Sequence, residues 1–139
     1  MTSLPSELSC KSSTPARAAK NAPIIEIEGV LIRLNGDTEL LRMLAEIFPE
    51  DSVALMAALR EGASANDAPR AERAVHSLKS LAANFNASHA VEVAAEIERL
   101  ARHNDLPTAL PLIPVLECRL AEVGDALAVM WTKPPLATQ

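Results

Sequence analysis

Short polar interruptions divide this chain into lengths that only a helix bundle can use. "NGD" at 35–37, "EGASANDAP" at 61–69 and "RHND" at 102–105 separate apolar-rich stretches, and Asn86 closes a further one. Glycine and asparagine tolerate the left-handed conformation that ends a helix, and aspartate caps the free amides of the next. The connections are only a few residues long, so consecutive helices must lie side by side and antiparallel. Alanine, leucine, valine and isoleucine supply most of the apolar content. The aromatic residues that strands favour are reduced to Phe48, Phe85 and Trp131. The fold class predicted is all-α: an antiparallel up-down four-helix bundle with a short extra N-terminal helix.

The helices follow from these stops. "PIIEIEGVLIRL" suits the short leading helix, with Gly36 as its stop and Asp37 as the next N-cap. From Thr38, residues Leu41, Leu44, Phe48, Leu55 and Leu59 form one apolar stripe. Pro49 lacks an amide hydrogen and crowds the preceding turn, which predicts a kink or short break near residues 45–49. Asp67 and Pro69 open a third helix running to about Asn86, and a fourth extends from Ser88 to about Arg102, with Ala90, Ala94, Ile97 and Ala101 on one face. The last runs from about Pro107 to Trp131, its first turns made irregular by Pro111 and Pro114. The domain reading is a flexible tail or linker over residues 1–22, rich in Ser, Pro and Lys, then the bundle over 23–132 and a frayed tail over 133–139.

Composition excludes several functions. A net charge of -5 argues against nucleic acid as a partner, because phosphate binding needs a basic surface. Cys10 and Cys118 have no metal or redox spacing, which predicts two free thiols in a reducing compartment. No apolar run approaches the ~20 residues of a membrane helix, and the N-terminus lacks a signal-peptide pattern. The expectation is a soluble, cytoplasmic domain with no membrane contact of its own. There is no glycine-rich nucleotide loop and no cluster of metal-ligating carboxylates, so neither kinase activity nor a metal is expected of this chain.

The third helix carries "RAVHSLKSLAANFNA" at 73–87. Ala71, Val75, Leu78, Ala82 and Phe85 form its apolar stripe, and at about 100° per residue His76 lies roughly 140° from Ala71. His76 therefore points outward, with Arg73, Ser80 and Ala83 on its side and Lys79 one turn on, at the boundary between core and solvent. Neutral imidazole is a good nucleophile near neutral pH, and a lysine one turn away can bring an ammonium to phosphoryl oxygens on the ring. The small Ser80 and Ala83 leave a shallow patch onto which a second protein could lower its own active site. The docking surface is predicted to extend to Met43, Ile47 and Ala54 on the second helix. His89 and His103 lack a lysine at that spacing and have weaker claims.

"HSLKSLAANFNA" (76–87) resembles the signature of histidine-containing phosphotransfer (HPt) domains, in His76, Leu78, Lys79, Ala82, Ala83, Phe85 and Ala87. "LIRLNGDTELLRMLAEIF" (31–48) is similar to that family's opening helix, turn and second helix, and "ASHAVEVAAEIERLAR" (87–102) to its fourth. The resemblance covers about residues 24–130. Three positions depart from the pattern: Ser80 stands where glycine is usual, Leu81 where a small residue is usual, and Asn86 where the stop glycine is usual. The resemblance implies that His76 is the phosphoacceptor and that Lys79 steadies the phosphoryl group. It implies receiver domains of response regulators as partners, one of them in the same parent chain, which supply the carboxylates and the Mg2+. It further implies a phosphocarrier that is no enzyme on its own, forming the C-terminal domain of a hybrid sensor kinase at the cytosolic end of a membrane-anchored protein. Three other readings compete. One is a binding module that docks a receiver or kinase without carrying phosphate, and another is the phosphoacceptor domain of a chemotaxis-type kinase. The third, a metal- or cofactor-binding bundle, would need Glu and His pairs projecting inward.

Overall fold

The computed structural model describes residues 23–132, with side chains through Met130. The expected tails, 1–22 and 133–139, lie outside the described residues, as does Cys10. The helices are α1 (Ile27–Arg33), α2 (Thr38–Ser64), α3 (Ala68–Ala83), α4 (Ser88–Arg102), α5 (Leu106–Ala109) and α6 (Leu112–Thr132). They form an all-α bundle in which α2, α3, α4 and α6 are the long members and α1 is the extra N-terminal helix. Among the described residues there is no strand, and no helix is long and apolar enough to cross a membrane.

One device ends four of the helices. Asn35, Asn66, Asn86 and Asn104 all have φ between 51° and 61°, the left-handed region that asparagine enters more readily than other side chains. In each case the following amide turns back to a carbonyl five residues earlier: Gly36 to Leu31 (2.7 Å), Asp67 to Gly62 (2.8 Å), Ala87 to Ala82 (3.2 Å) and Asp105 to Leu100 (2.8 Å). After three of these stops an aspartate caps the next helix, Asp37 accepting from Leu40 N, Asp67 from Arg70 N and Asp105 from Thr108 N. Stop and restart thus lie one or two residues apart, which keeps the connections short.

Every apolar residue assigned to the α3 stripe is buried, and so are Ala90, Ala94, Ile97 and Ala101 of α4. Leu41, Phe48 and Leu59 of α2 are buried as well, with Leu44 and Leu55 partly buried against the core. The rings of Phe48 and Phe85 meet edge-on at 5.7 Å, locking α2 against the end of α3. Helix α6 closes the core with Ile113, Leu116, Leu120, Val123 and Leu127, and an Arg60–Glu117 ion pair ties it to α2 at the surface.

The structure corrects four expectations. Helix α2 runs unbroken through Pro49. The proline is exposed, so its ring has room on the solvent side, while Phe48 and Met56 hold the helix to the core on either side of it. Helix α3 stops at Ala83, and the turn Asn84–Asn86 follows it. The last helix is divided into α5 and α6, because Pro111 has no amide hydrogen to continue the ladder; Pro114 is tolerated in the first turn of α6. Finally, Cys118 is disulfide-bonded, not a free thiol.

Helices α2 and α3 meet closely at Gly62, where a Cβ would lie 2.9 Å from the backbone nitrogen of Ala71. A larger side chain there must push α3 bodily away. Gly62→Val is expected to lower stability by about 2–3 kcal/mol, as overpacking against backbone outweighs the small gain in helix propensity. Denaturant melting checks this.

Candidate functional site

Helix α3 lies between α2 and α4, and it presents His76 on the ridge between the two resulting grooves. The groove toward α4 is lined by Pro69, Glu72, Arg73, His76, Ser77, Glu98 and Arg102. The groove toward α2 is lined by Asp51, Ala54, Leu55, His76, Ser77, Ser80, Leu81 and Asn84. The histidine side chain is 61% exposed, as its place on the helix wheel requires.

Beneath it sits a group that sequence reasoning missed. Glu98 of α4 is buried, 4% exposed, and its carboxylate gathers three donors. His76 Nδ1 lies 2.7 Å from Oε2, Lys79 Nζ 2.6 Å from Oε1, and Arg102 Nη2 2.9 Å from Oε2. Burial pushes the Glu98 carboxyl up, but hydrogen bonds and charge from Lys79 and His76 outweigh it and hold the group below the ordinary carboxylate range. The stabilisation this carries is present at neutral pH and is lost as pH falls through that lowered value, when the carboxyl takes a proton.

An ionised carboxylate only accepts, so the proton of this hydrogen bond must reside on His76 Nδ1. When the ring is neutral, its lone pair is therefore on Nε2, at the other edge of an exposed side chain. Lys79, 32% exposed, stands at the boundary between core and solvent and spans both environments. The site combines a nucleophilic nitrogen, a carboxylate to support positive charge on the ring, and an ammonium one turn away.

The other expected site residues divide between the two grooves and positions outside them. Arg73 lines the α4 groove, and Ser80 and Ala54 line the α2 groove; all three are exposed. Leu81, half-buried, packs against the core and floors the α2 groove. Ala83 is exposed but borders a separate depression with Arg33 and Asn86. Met43 and Ile47 are exposed on α2, at 53% and 45%, and line neither groove beside His76. His103 is exposed and its Nδ1 contacts the Arg99 carbonyl at 2.8 Å, while His89 is half-buried at the start of α4. Among the described residues no group of three or more His, Cys, Asp or Glu is placed to hold a metal ion.

The departure at Asn86 has a structural reason. Its Nδ2 donates to Glu26 Oε1 at 2.7 Å and its Oδ1 accepts from Arg33 at 3.1 Å, while Arg33 also reaches the Asn84 carbonyl. Asparagine therefore supplies both the left-handed stop and the tie that straps α1 over the α3–α4 turn. Glycine could supply only the first.

The bundle thus holds a solvent-facing histidine over a buried carboxylate, with a lysine one turn on. Residues 39–127, more than half of the chain, match the family model described as Hpt domain, and the protein belongs to this family. Domains of the family are phosphocarrier modules, not catalysts, that work in phosphorelays with the receiver domains of response regulators. No curated protein and no solved structure matches the chain.

Proposed function

We propose that this chain takes a phosphoryl group on Nε2 of His76 from the aspartyl phosphate of one receiver domain and passes it to another in a multistep phosphorelay. The observation that carries this reading is the contact between His76 Nδ1 and the buried Glu98, which leaves Nε2 as the basic nitrogen on the exposed edge of the ring.

The step balances on this geometry. The Nε2 lone pair attacks phosphorus, the Nε2–P bond forms, and the P–O bond to the receiver aspartate breaks with its electron pair returning to that carboxylate. The ring acquires positive charge, which the Glu98 carboxylate stabilises through the retained Nδ1 proton. Lys79 turns toward the phosphoryl oxygens as negative charge reaches them. The receiver brings the carboxylates and the Mg2+, so this chain contributes positioning and charge compensation.

Docking is assigned to the ridge: Arg73 on one side of His76, Ser80 and Ala54 on the other. Ala83, Met43 and Ile47 extend this surface as exposed residues outside the grooves. The Ser-, Pro- and Lys-rich composition of residues 1–22 supports a domain carried on a tether. We place it in the cytoplasm as the C-terminal domain of a hybrid sensor kinase, one of whose partners is the receiver of the same parent chain.

Incubation with a phosphorylated receiver is expected to label the chain with an acid-labile, alkali-stable phosphate. Lys79→Ala is expected to slow that transfer by ~10- to 100-fold, the ~1.4–3 kcal/mol of a lost charge-assisted contact. A chain that takes no label from any receiver, or a Lys79→Ala rate equal to the original, would count against the reading.

A further inference from the structure

The carboxylate that orients His76 also poses a problem for it. A buried carboxylate with no other partner, set against Nδ1, would draw a second proton onto the ring, because the imidazolium would be its only counter-charge. An imidazolium has no lone pair on Nε2 and cannot attack phosphorus. Glu98 therefore needs its charge met by other groups if His76 is to stay reactive.

The charged groups that line the two grooves or touch Glu98 are Asp51 of α2, Glu72, Arg73 and Lys79 of α3, and Arg102 of α4. Two of these cations bond Glu98. Lys79 occupies Oε1, but that same ammonium is drawn away once a phosphoryl group arrives. Arg102 occupies Oε2 together with His76, and it is anchored from behind by its own Nε, 3.0 Å from Glu72 Oε2. A guanidinium can hold two carboxylates at once through separate N–H groups, so Arg102 stays in place when Lys79 leaves.

We infer that Arg102 is a positioning residue for phosphotransfer, which meets the charge of Glu98 so that His76 keeps its Nδ1 hydrogen bond without being driven into the imidazolium form. The inference rests on His76 being the phosphoacceptor, but its effect on the ring is measurable without any phosphate. Arg99 provides a matched control. It lies in the same last turn of α4 and pairs with Glu96, so it shares the interaction with the helix end but touches neither Glu98 nor His76.

The test follows the His76 ring by 15N NMR across pH, alongside the pH profile of transfer from a phosphorylated receiver, in the full chain and its variants. In Arg102→Gln the ring is expected to take its second proton at higher pH than in the unsubstituted chain. Transfer near neutrality is expected to fall roughly threefold as neutral imidazole is lost, and to recover at alkaline pH. Arg102→Met, which keeps an aliphatic stem over the groove, should shift the same way. Arg102→Lys should stay close to the original and Arg99→Gln should match it. If both neutral variants titrate with the original chain, or their transfer stays slow at alkaline pH, the inference is overturned. If the unsubstituted chain takes no label at His76, the phosphoacceptor reading fails instead, and the ring titration still decides the role of Arg102.

Discussion

His76→Gln is expected to abolish receiver-dependent labelling while leaving helical content and melting nearly unchanged. The side chain is mostly exposed and lies outside the apolar stripe, so its loss removes no core packing. Glutamine also retains an amide that can donate to Glu98, so the buried carboxylate is not left without a partner from this position. A stability change within about 0.5 kcal/mol is expected, as for surface substitutions elsewhere. Helical circular dichroism and thermal melting check the fold, and phosphate labelling checks the chemistry. Persistent label would move the site, and His89 and His103 would then be the histidines to test.

Ser80→Arg is expected to block transfer from a receiver as completely, but for a different reason. Ser80 is one turn beyond His76 on the same face, it is exposed, and it lines the α2 groove beside the histidine. A long cation placed there obstructs an approaching protein without entering the core. A small donor such as a phosphoramidate needs no docking surface, so wherever it labels His76 in the original chain it should also label Ser80→Arg. Ser80→Gly, the residue usual in the family, should transfer at least as fast, at a cost of ~0.5 kcal/mol in helix stability. Normal transfer by Ser80→Arg from its receiver would show that the partner approaches over another face.

These two residues were readable without coordinates because each depends only on helix geometry. A stripe of five apolar residues fixes which side of α3 is buried, and everything opposite it must face solvent. The helix stops were readable too, since asparagine and glycine at a helix end, followed by aspartate, have a local conformational preference that owes little to the rest of the fold. Pro49 was the exception among local signals. Its lost hydrogen bond predicts a break, yet α2 continues because packing on both sides of an exposed proline outweighs one missing bond. The division of the last helix at Pro111 went the other way, with the local signal stronger than expected.

Glu98 marks the boundary between the two kinds of information. On the wheel of α4 it sits beside the apolar stripe, at the flank where charged residues commonly reach solvent. Its pairing with Arg102, four residues on, is a local pattern of the kind a sequence displays. Its pairing with His76, 22 residues earlier, is not. Sequence alone determined the four long helices, their order, their buried faces and the outward histidine, because those follow from spacing along one chain segment. Only the tertiary structure decided that α4 delivers a buried carboxylate beneath that histidine, with Lys79 and Arg102 to balance it. That depends on how far two helices are rotated and shifted against each other, which the packing of both faces sets together and neither segment encodes by itself.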